Sequence, residues 1–291
     1  MTESAIGFDC HSDALVGILH RPPRPRRRGI VVVVGGGPQY RAGGHRQLTL
    51  WARMLCDEGY PVFRFDYRGM GDSQGEFRGF RDVDDDIRCA IDRFCAELPE
   101  LDEIVLWGEC DAASAILLYA YRDRRVRGAV LLNPWVRTEA GAARAVLRFY
   151  YLQRLLQPSL WKKIFSGRFN PLASARSALA LLRQARAQRS APAPTAAGGS
   201  LDAPISRSLP LTESMLMGLR RFEGNLMLVL SGRDLIAREF DVLIDGSPGW
   251  KSALAQKRIV RHDLAEGDHT FSSAVLRGQV IAWGLEWLRQ W

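Results

Sequence analysis

The chain has 291 residues, 47% of them hydrophobic and 25% charged. That is enough apolar mass for one large core, and too balanced a mixture for a disordered chain. No run approaches the roughly 18 consecutive apolar residues of a membrane span. Met1 to His20 carries acids without a continuous apolar stretch, so it does not read as a secretory signal and a cytoplasmic location is expected by default. The net charge of +8 gathers in Arg21 to Arg28 (RPPRPRRR) and between Arg176 and Arg189. Without interleaved aromatics to stack on bases, these runs read as solvated loops, and no nucleic-acid partner is expected. Cys10, Cys56, Cys89, Cys95 and Cys110 make an odd count with no C-x-x-C spacing, which argues against a disulfide framework and against a zinc site. Cys56, Cys89 and Cys95 lie in helical patterns as small buried hydrophobes, whereas Cys10 is expected to be exposed without an activating partner.

Ala14 to Leu19 alternates weakly and pairs in expectation with Ile6 to Cys10 as an edge hairpin. Gly29 to Val34 (GIVVVV) is a β-branched run of the kind buried on both faces of a parallel sheet, and it ends at Gly35-Gly36-Gly37-Pro38. Leu48, Trp51, Ala52 and Leu55 then mark one helix face, closed by Gly59. Val62 to Asp66 predicts a strand, and Val83, Ile87, Ala90, Ile91 and Phe94 a helix closed by Pro99. Glu103 to Gly108 predicts a strand, Asp111 to Tyr121 a helix and Gly128 to Asn133 another strand. This alternation predicts an α/β fold with a mostly parallel central sheet flanked by helices.

Strand patterning stops at Pro134 and resumes at Leu226 to Leu230, followed by a strand at Arg258 to Leu264 and a helix from about Ser272 to Trp291. The chain therefore divides into a core of 1–134 and 223–291 and a helical cap insertion of 135–222. Within the insertion, Ala142 to Leu156 and Ser174 to Gln188 look helical, and the low-complexity stretch 190–204 reads as a mobile loop.

The chemistry concentrates at three strand ends. In Gly108-Glu109-Cys110-Asp111-Ala112 a strand runs into a helix through a small residue, a nucleophile and another small residue, which is the pattern of a nucleophile elbow. Cys110 would head a helix, where backbone N–H groups and the macrodipole favour a thiolate. His269 follows the last strand, where a base belongs if the order is nucleophile, acid, base. Asp234, after Leu226 to Leu230, is the acid expected to orient it, with Asp241, Asp245 and Glu239 as alternatives. Asp66 and Asp72, near the same edge, are assigned structural roles. Oxyanion donors would be the N–H of Asp111 and that of Gly37 or Gln39, since Pro38 has none. Tyr40, Arg41 and His45 in the glycine-rich loop, and Glu109 beside Cys110, are substrate-side candidates. The loop lacks G-x-G-x-x-G and the P-loop Lys-Ser/Thr, which argues against phosphate binding. No metal or cofactor is expected.

The glycine loop, Asp66-Tyr67-Arg68-Gly69-Met70-Gly71-Asp72-Ser73, the elbow, Gly232-Arg233-Asp234 and Gly267-Asp268-His269 occur in the order of the α/β-hydrolase superfamily, which the chain resembles over all but the insertion. More narrowly, Gly36-Gly37-Pro38-Gln39-Tyr40-Arg41, His45-Arg46-Gln47, Phe65 to Ser73 and Gly108-Glu109-Cys110-Asp111-Ala112-Ala113-Ser114 resemble the exosortase A system-associated hydrolases of the first type. That resemblance implies a bacterial hydrolase from exopolysaccharide and exosortase loci. The residues themselves predict cleavage of an ester, thioester or lactone in a small acyl substrate, through Cys110, His269 and Asp234 and a covalent acyl-enzyme. Acyl transfer by the same residues, or a non-catalytic binding or scaffold role on the same fold, are the alternatives.

Overall fold

The computed structural model describes residues 1–35, 37, 39–136 and 204–291. The strands are β1 (Thr2–Cys10), β2 (Asp13–Arg21), β3 (Arg28–Val33), β4 (Val62–Phe65), β5 (Glu103–Glu109), β6 (Val126–Leu132), β7 (Asn225–Ser231) and β8 (Ile259–Leu264). They form one sheet in the order β1-β2-β4-β3-β5-β6-β7-β8. The hairpin β1–β2 and the β2–β4 pair are antiparallel, and every pair from β4 to β8 is parallel. Ile30 to Val34 are all at most 1% exposed, as a run apolar on both faces requires.

The helices are α1 (Gln47–Asp57), α2 (Asp84–Glu97), α3 (Asp111–Tyr119), α4 (Leu211–Arg221), α5 (Leu235–Gly246), α6 (Pro248–Ala255) and α7 (Ala274–Arg289). The helix expected to reach Tyr121 ends at Tyr119 and continues as a 3-10 turn, Ala120–Arg122. The pair α5 and α6, between β7 and β8, is not anticipated by the apolar spacing. Local capping builds it: Asp234 accepts from the N–H groups of Ile236 and Ala237, and Ser247 from that of Trp250, with Pro248 opening α6.

Most of the expected cap, including 142–156, 174–188 and nearly all of 190–204, lies outside the described residues. Its described tail carries α4, which packs against α3 and α6. Among the described residues no helix is long and apolar enough to cross a membrane.

Cys10 departs from expectation. It is fully buried, because the β1–β2 hairpin lies against α2 rather than projecting into solvent. Burial first, with Asp86 second, pushes its thiol up to about 12. Cys56 is buried, and Cys89 and Cys95 are half-buried.

The α3–α4 contact depends on one missing side chain. A Cβ on Gly218 would stand 1.8 Å from the Leu117 carbonyl oxygen. Gly218→Ala should therefore destabilise the protein by about 1–3 kcal/mol through overpacking, despite alanine's helix propensity. Urea unfolding checks this, and an unchanged or raised midpoint would show that α4 does not depend on the close approach.

Candidate active site

Crowding builds the elbow. Cys110 has φ 59° and ψ −126° between β5 and α3, a region that a non-glycine residue enters only under constraint. A Cβ on Gly108 would lie 2.7 Å from Ile116 and 2.9–3.0 Å from the backbone of Ala112 and Ala113. From the other side, a Cβ on Gly35 would lie 2.4 Å from the Asp111 carboxylate and 2.6 Å from the Glu109 carbonyl. The end of β3 thus presses on the turn, and only glycine fits at both positions. The turn is also tied to the exit of β6. The Cys110 N–H donates to Leu132 O at 2.9 Å, and the Cys110 carbonyl accepts from the N–H groups of Ala113 (3.1 Å) and Trp135 (3.2 Å). The Ser114 hydroxyl donates to Trp135 O at 2.6 Å.

The acid and the imidazole come from the next two strand ends. Asp234, 7% exposed, caps α5 and lies 2.7 Å from Nδ1 of His269. Backbone bonds join the two turns: Gly232 N–H to Leu264 O at 2.8 Å and Arg233 N–H to Gly267 O at 2.9 Å. His269 Nδ1 pairs with Asp234, and the interactions of the imidazole with Asp234 first and the Cys110 side chain second, opposed by burial, push its pKa up to about 10. Cys110, His269 and Asp234 are thus brought together. Asp241 is instead paired with Arg238 and Arg261.

The oxyanion candidates lie around this cluster. Asp111 is the first residue of α3, Gly37 adopts φ 78°, and Gln39 lines a small cavity with His269, Thr270, Gln47 and Glu109. Among the substrate-side candidates, Glu109 faces that cavity. Burial, with Asp234, Asp268 and Asp111 adding to it and His269 opposing, pushes its carboxyl up to about 8. Tyr40 and Arg41 line a different cavity, against β1 and β2. The Arg41 guanidinium bonds Asp66, Asp72 (2.8 Å) and the Tyr40 hydroxyl (2.8 Å), and Asp66 also accepts from the Arg41 backbone N–H at 2.6 Å. This charge set clamps the glycine loop to the 66–73 loop. His45, at φ 53°, is exposed.

The sequence reading missed Asn133. Buried at the end of β6, with φ 47°, it accepts from the Ser231 N–H at 2.8 Å and donates to Ser231 Oγ and His269 O, both at 2.9 Å. Ser231 Oγ donates in turn to Asp268 O at 2.8 Å. One side chain therefore joins β6, β7 and the His269 turn. The available signal was an amide side chain ending an apolar strand, since asparagine tolerates a left-handed backbone.

The strand order and the elbow together make this an α/β-hydrolase fold. Residues 25–194, more than half of the chain, match the family model described as serine aminopeptidase, S33, and the chain belongs to that hydrolase family. The family description names a serine enzyme, whereas the residue in this elbow is Cys110. The chain is 28% identical over 137 residues to the quorum-quenching protein AidA of Acinetobacter baumannii (strain MDR-ZJ06), a match spanning 45% of this chain and 43% of that protein. Among solved structures it is similar to the esterase Pf2001 of Pyrococcus furiosus, with a TM-score of 0.65, 13% identity, and coverage of 100% and 91% of the two chains. It is also similar to an acylaminoacyl peptidase of Pyrococcus horikoshii, with a TM-score of 0.61, 13% identity, and coverage of 99% and 41%. At such identities the likeness shows the fold.

The raised pKa of His269 has a defined sign. Stability gained from its bound proton is complete below about 6.5 and is lost as pH rises through about 10. NMR titration of the wild type should find this imidazole protonated well above neutrality. Asp234→Asn should bring the midpoint down by more than Cys110→Ala does, because the Asp234 bond is the larger cause. A wild-type midpoint near the ordinary histidine value would contradict the pairing.

Proposed function

We propose that this chain is a cysteine-dependent hydrolase of esters, thioesters or lactones, acting through Cys110, His269 and Asp234. The observation that carries the reading is His269, paired through Nδ1 with Asp234 and close enough to the side chain in the elbow for the two to interact. The thiolate is the nucleophilic form of cysteine.

In this reading the Cys110 thiolate adds to the substrate carbonyl, and the oxygen gains the negative charge. The Asp111 N–H and that of Gly37 or Gln39 receive the oxyanion. Collapse breaks the bond to the leaving thiolate or alkoxide, which takes the proton from His269, and Cys110 holds the acyl group as a thioester. Acylation removes the sulfur's negative charge, one of the influences that raise the His269 pKa. Neutral His269 then takes a proton from water as the water attacks the thioester. The second tetrahedral intermediate expels the Cys110 thiolate and leaves His269 protonated again. Asp234 holds the tautomer throughout. An amide is a poorer substrate, because its leaving nitrogen needs stronger protonation. The Gly108-Glu109-Cys110-Asp111 elbow and the glycine loop support a place among the exosortase A system-associated hydrolases, and thus a bacterial locus of that kind.

Intact-mass spectrometry after mixing with a short acyl thioester should show one acyl adduct, on Cys110. Cys110→Ala should abolish it, and His269→Ala should slow turnover by about 10²–10⁴-fold. Hydrolysis undiminished in Cys110→Ala would refute the reading.

Iodoacetamide should also label Cys110 faster than the other four cysteines at neutral pH. Burial raises the thiols of Cys10 (to about 12), Cys56 (to about 11) and Cys95, and Cys89 is half-buried. His269→Ala should slow the labelling of Cys110 alone. Equal rates at Cys110 and Cys10 would make Cys110 an ordinary thiol.

A further inference from the structure

Two buried oxygens beside His269 lack partners. Gln47, the first residue of α1 and 2% exposed, donates from Nε2 to Oε2 of Glu109 at 2.9 Å. The remaining oxygen of each side chain, Gln47 Oε1 and Glu109 Oε1, is buried without a hydrogen bond. Both side chains line one cavity of about 90 Å³, together with Gln39, His269 and Thr270. Buried polar atoms are nearly always paired, so two orphans on one cavity beside the reacting groups point to a ligand group that pairs them.

The chemistry of the two orphans defines that group. Glu109, its carboxyl pushed up to about 8 chiefly by burial, is protonated at neutral pH. Its Oε2 accepts from Gln47, which leaves the proton to Oε1. The wall of the cavity therefore carries one O–H donor and one amide oxygen acceptor, both just beneath its surface. A hydroxyl both accepts and donates, and meets the two at once. A methyl group meets neither. An ammonium group has only donors and requires Glu109 to ionise among Asp234, Asp268 and Asp111. The cavity has room for only a few atoms, and it is bounded by the residue preceding Cys110 and by His269, so the hydroxyl must lie within a few bonds of the reacting carbonyl.

We infer that this cavity is a subsite for a hydroxyl group on the acyl part of the substrate, so that the enzyme takes short hydroxyacyl esters or thioesters in preference to plain acyl ones. The inference rests on Cys110 being the reacting residue, and it names the substrate class of that site.

The test is protection of Cys110 from iodoacetamide by unreactive amides: butyramide, 2- and 3-hydroxybutyramide, and 3-aminobutyramide. Occupancy is read by mass spectrometry and requires no turnover. One of the hydroxyamides should protect at a concentration about tenfold lower than butyramide, as one added hydrogen bond implies. The preference should survive Glu109→Gln, which keeps a donor facing the cavity, and should fall toward unity in Gln47→Leu. If Gln47→Leu does not fold, the wild-type ranking alone decides. Equal protection by butyramide and both hydroxyamides, strongest protection by the amine, or no protection by any of them would overturn the subsite. Failure of the acyl-enzyme to form is a separate result, read with a thioester, and strikes the hydrolase reading instead.

Discussion

The backbone of Cys110 is the constraint around which the rest is arranged. A non-glycine residue at φ 59° and ψ −126° costs on the order of 1–3 kcal/mol, and it persists only where its surroundings leave no alternative. Here Gly35 presses from the end of β3, Gly108 and Ala112 leave little or no side chain to push back, and hydrogen bonds to Leu132 and from Ala113 and Trp135 hold the peptide on both sides of the residue. The result is a sulfur raised above the sheet's carboxyl edge at the head of a helix. Any side chain larger than hydrogen at Gly35 would have to displace backbone, so the glycine loop serves the elbow before it serves a substrate.

Charge is arranged in two tiers around that turn. Nearest the sulfur, Asp234 is held at a helix N-terminus by two backbone N–H groups, where a carboxylate is stabilised, and from there it fixes His269. Farther out, Arg41 sits between Asp66 and Asp72. The Arg41–Asp66 pair is buried, with Asp72 exposed at its edge; such a pair is costly to desolvate and costlier still to break, which suits a part that sets loop position. Glu109 belongs to neither tier. It is a carboxyl among carboxylates, kept protonated by burial, and it is a hydrogen-bonding group more than a charge.

The sequence made legible what short-range pattern encodes. Strand runs, helix faces and the small-x-Cys-x-small spacing put Cys110, Asp234 and His269 at three strand ends, and the structure has them at those ends. Residues whose roles come from distant neighbours were not legible. Arg41 looked available for a substrate because its partners lie 25 and 31 positions away. Cys10 looked exposed because the packing of its hairpin on α2 leaves no local trace. Asn133 and Gln47 act through residues 98 and 62 positions distant, and neither sits in a motif. The α5–α6 pair was lost because its helices are set by Asp234 and Ser247 caps rather than by a long apolar stripe.

The strand order also sets a sequence of events during synthesis. The elbow is complete once β3, β5 and β6 have left the ribosome, yet Asp234 and His269 arrive only with β7 and β8, added outward along one side of the sheet. Domains emerge and fold from the N-terminus at about 5–20 residues per second, so a nascent chain carries the thiol for roughly ten seconds before His269 reaches it. Asn133 is the point where this delay ends. Its side chain stays without its partners at Ser231 and the His269 turn until the last strands dock, and their docking satisfies it and aligns the imidazole in one step. In the proposed reaction, assembly of the sheet edge and arming of the sulfur are the same event.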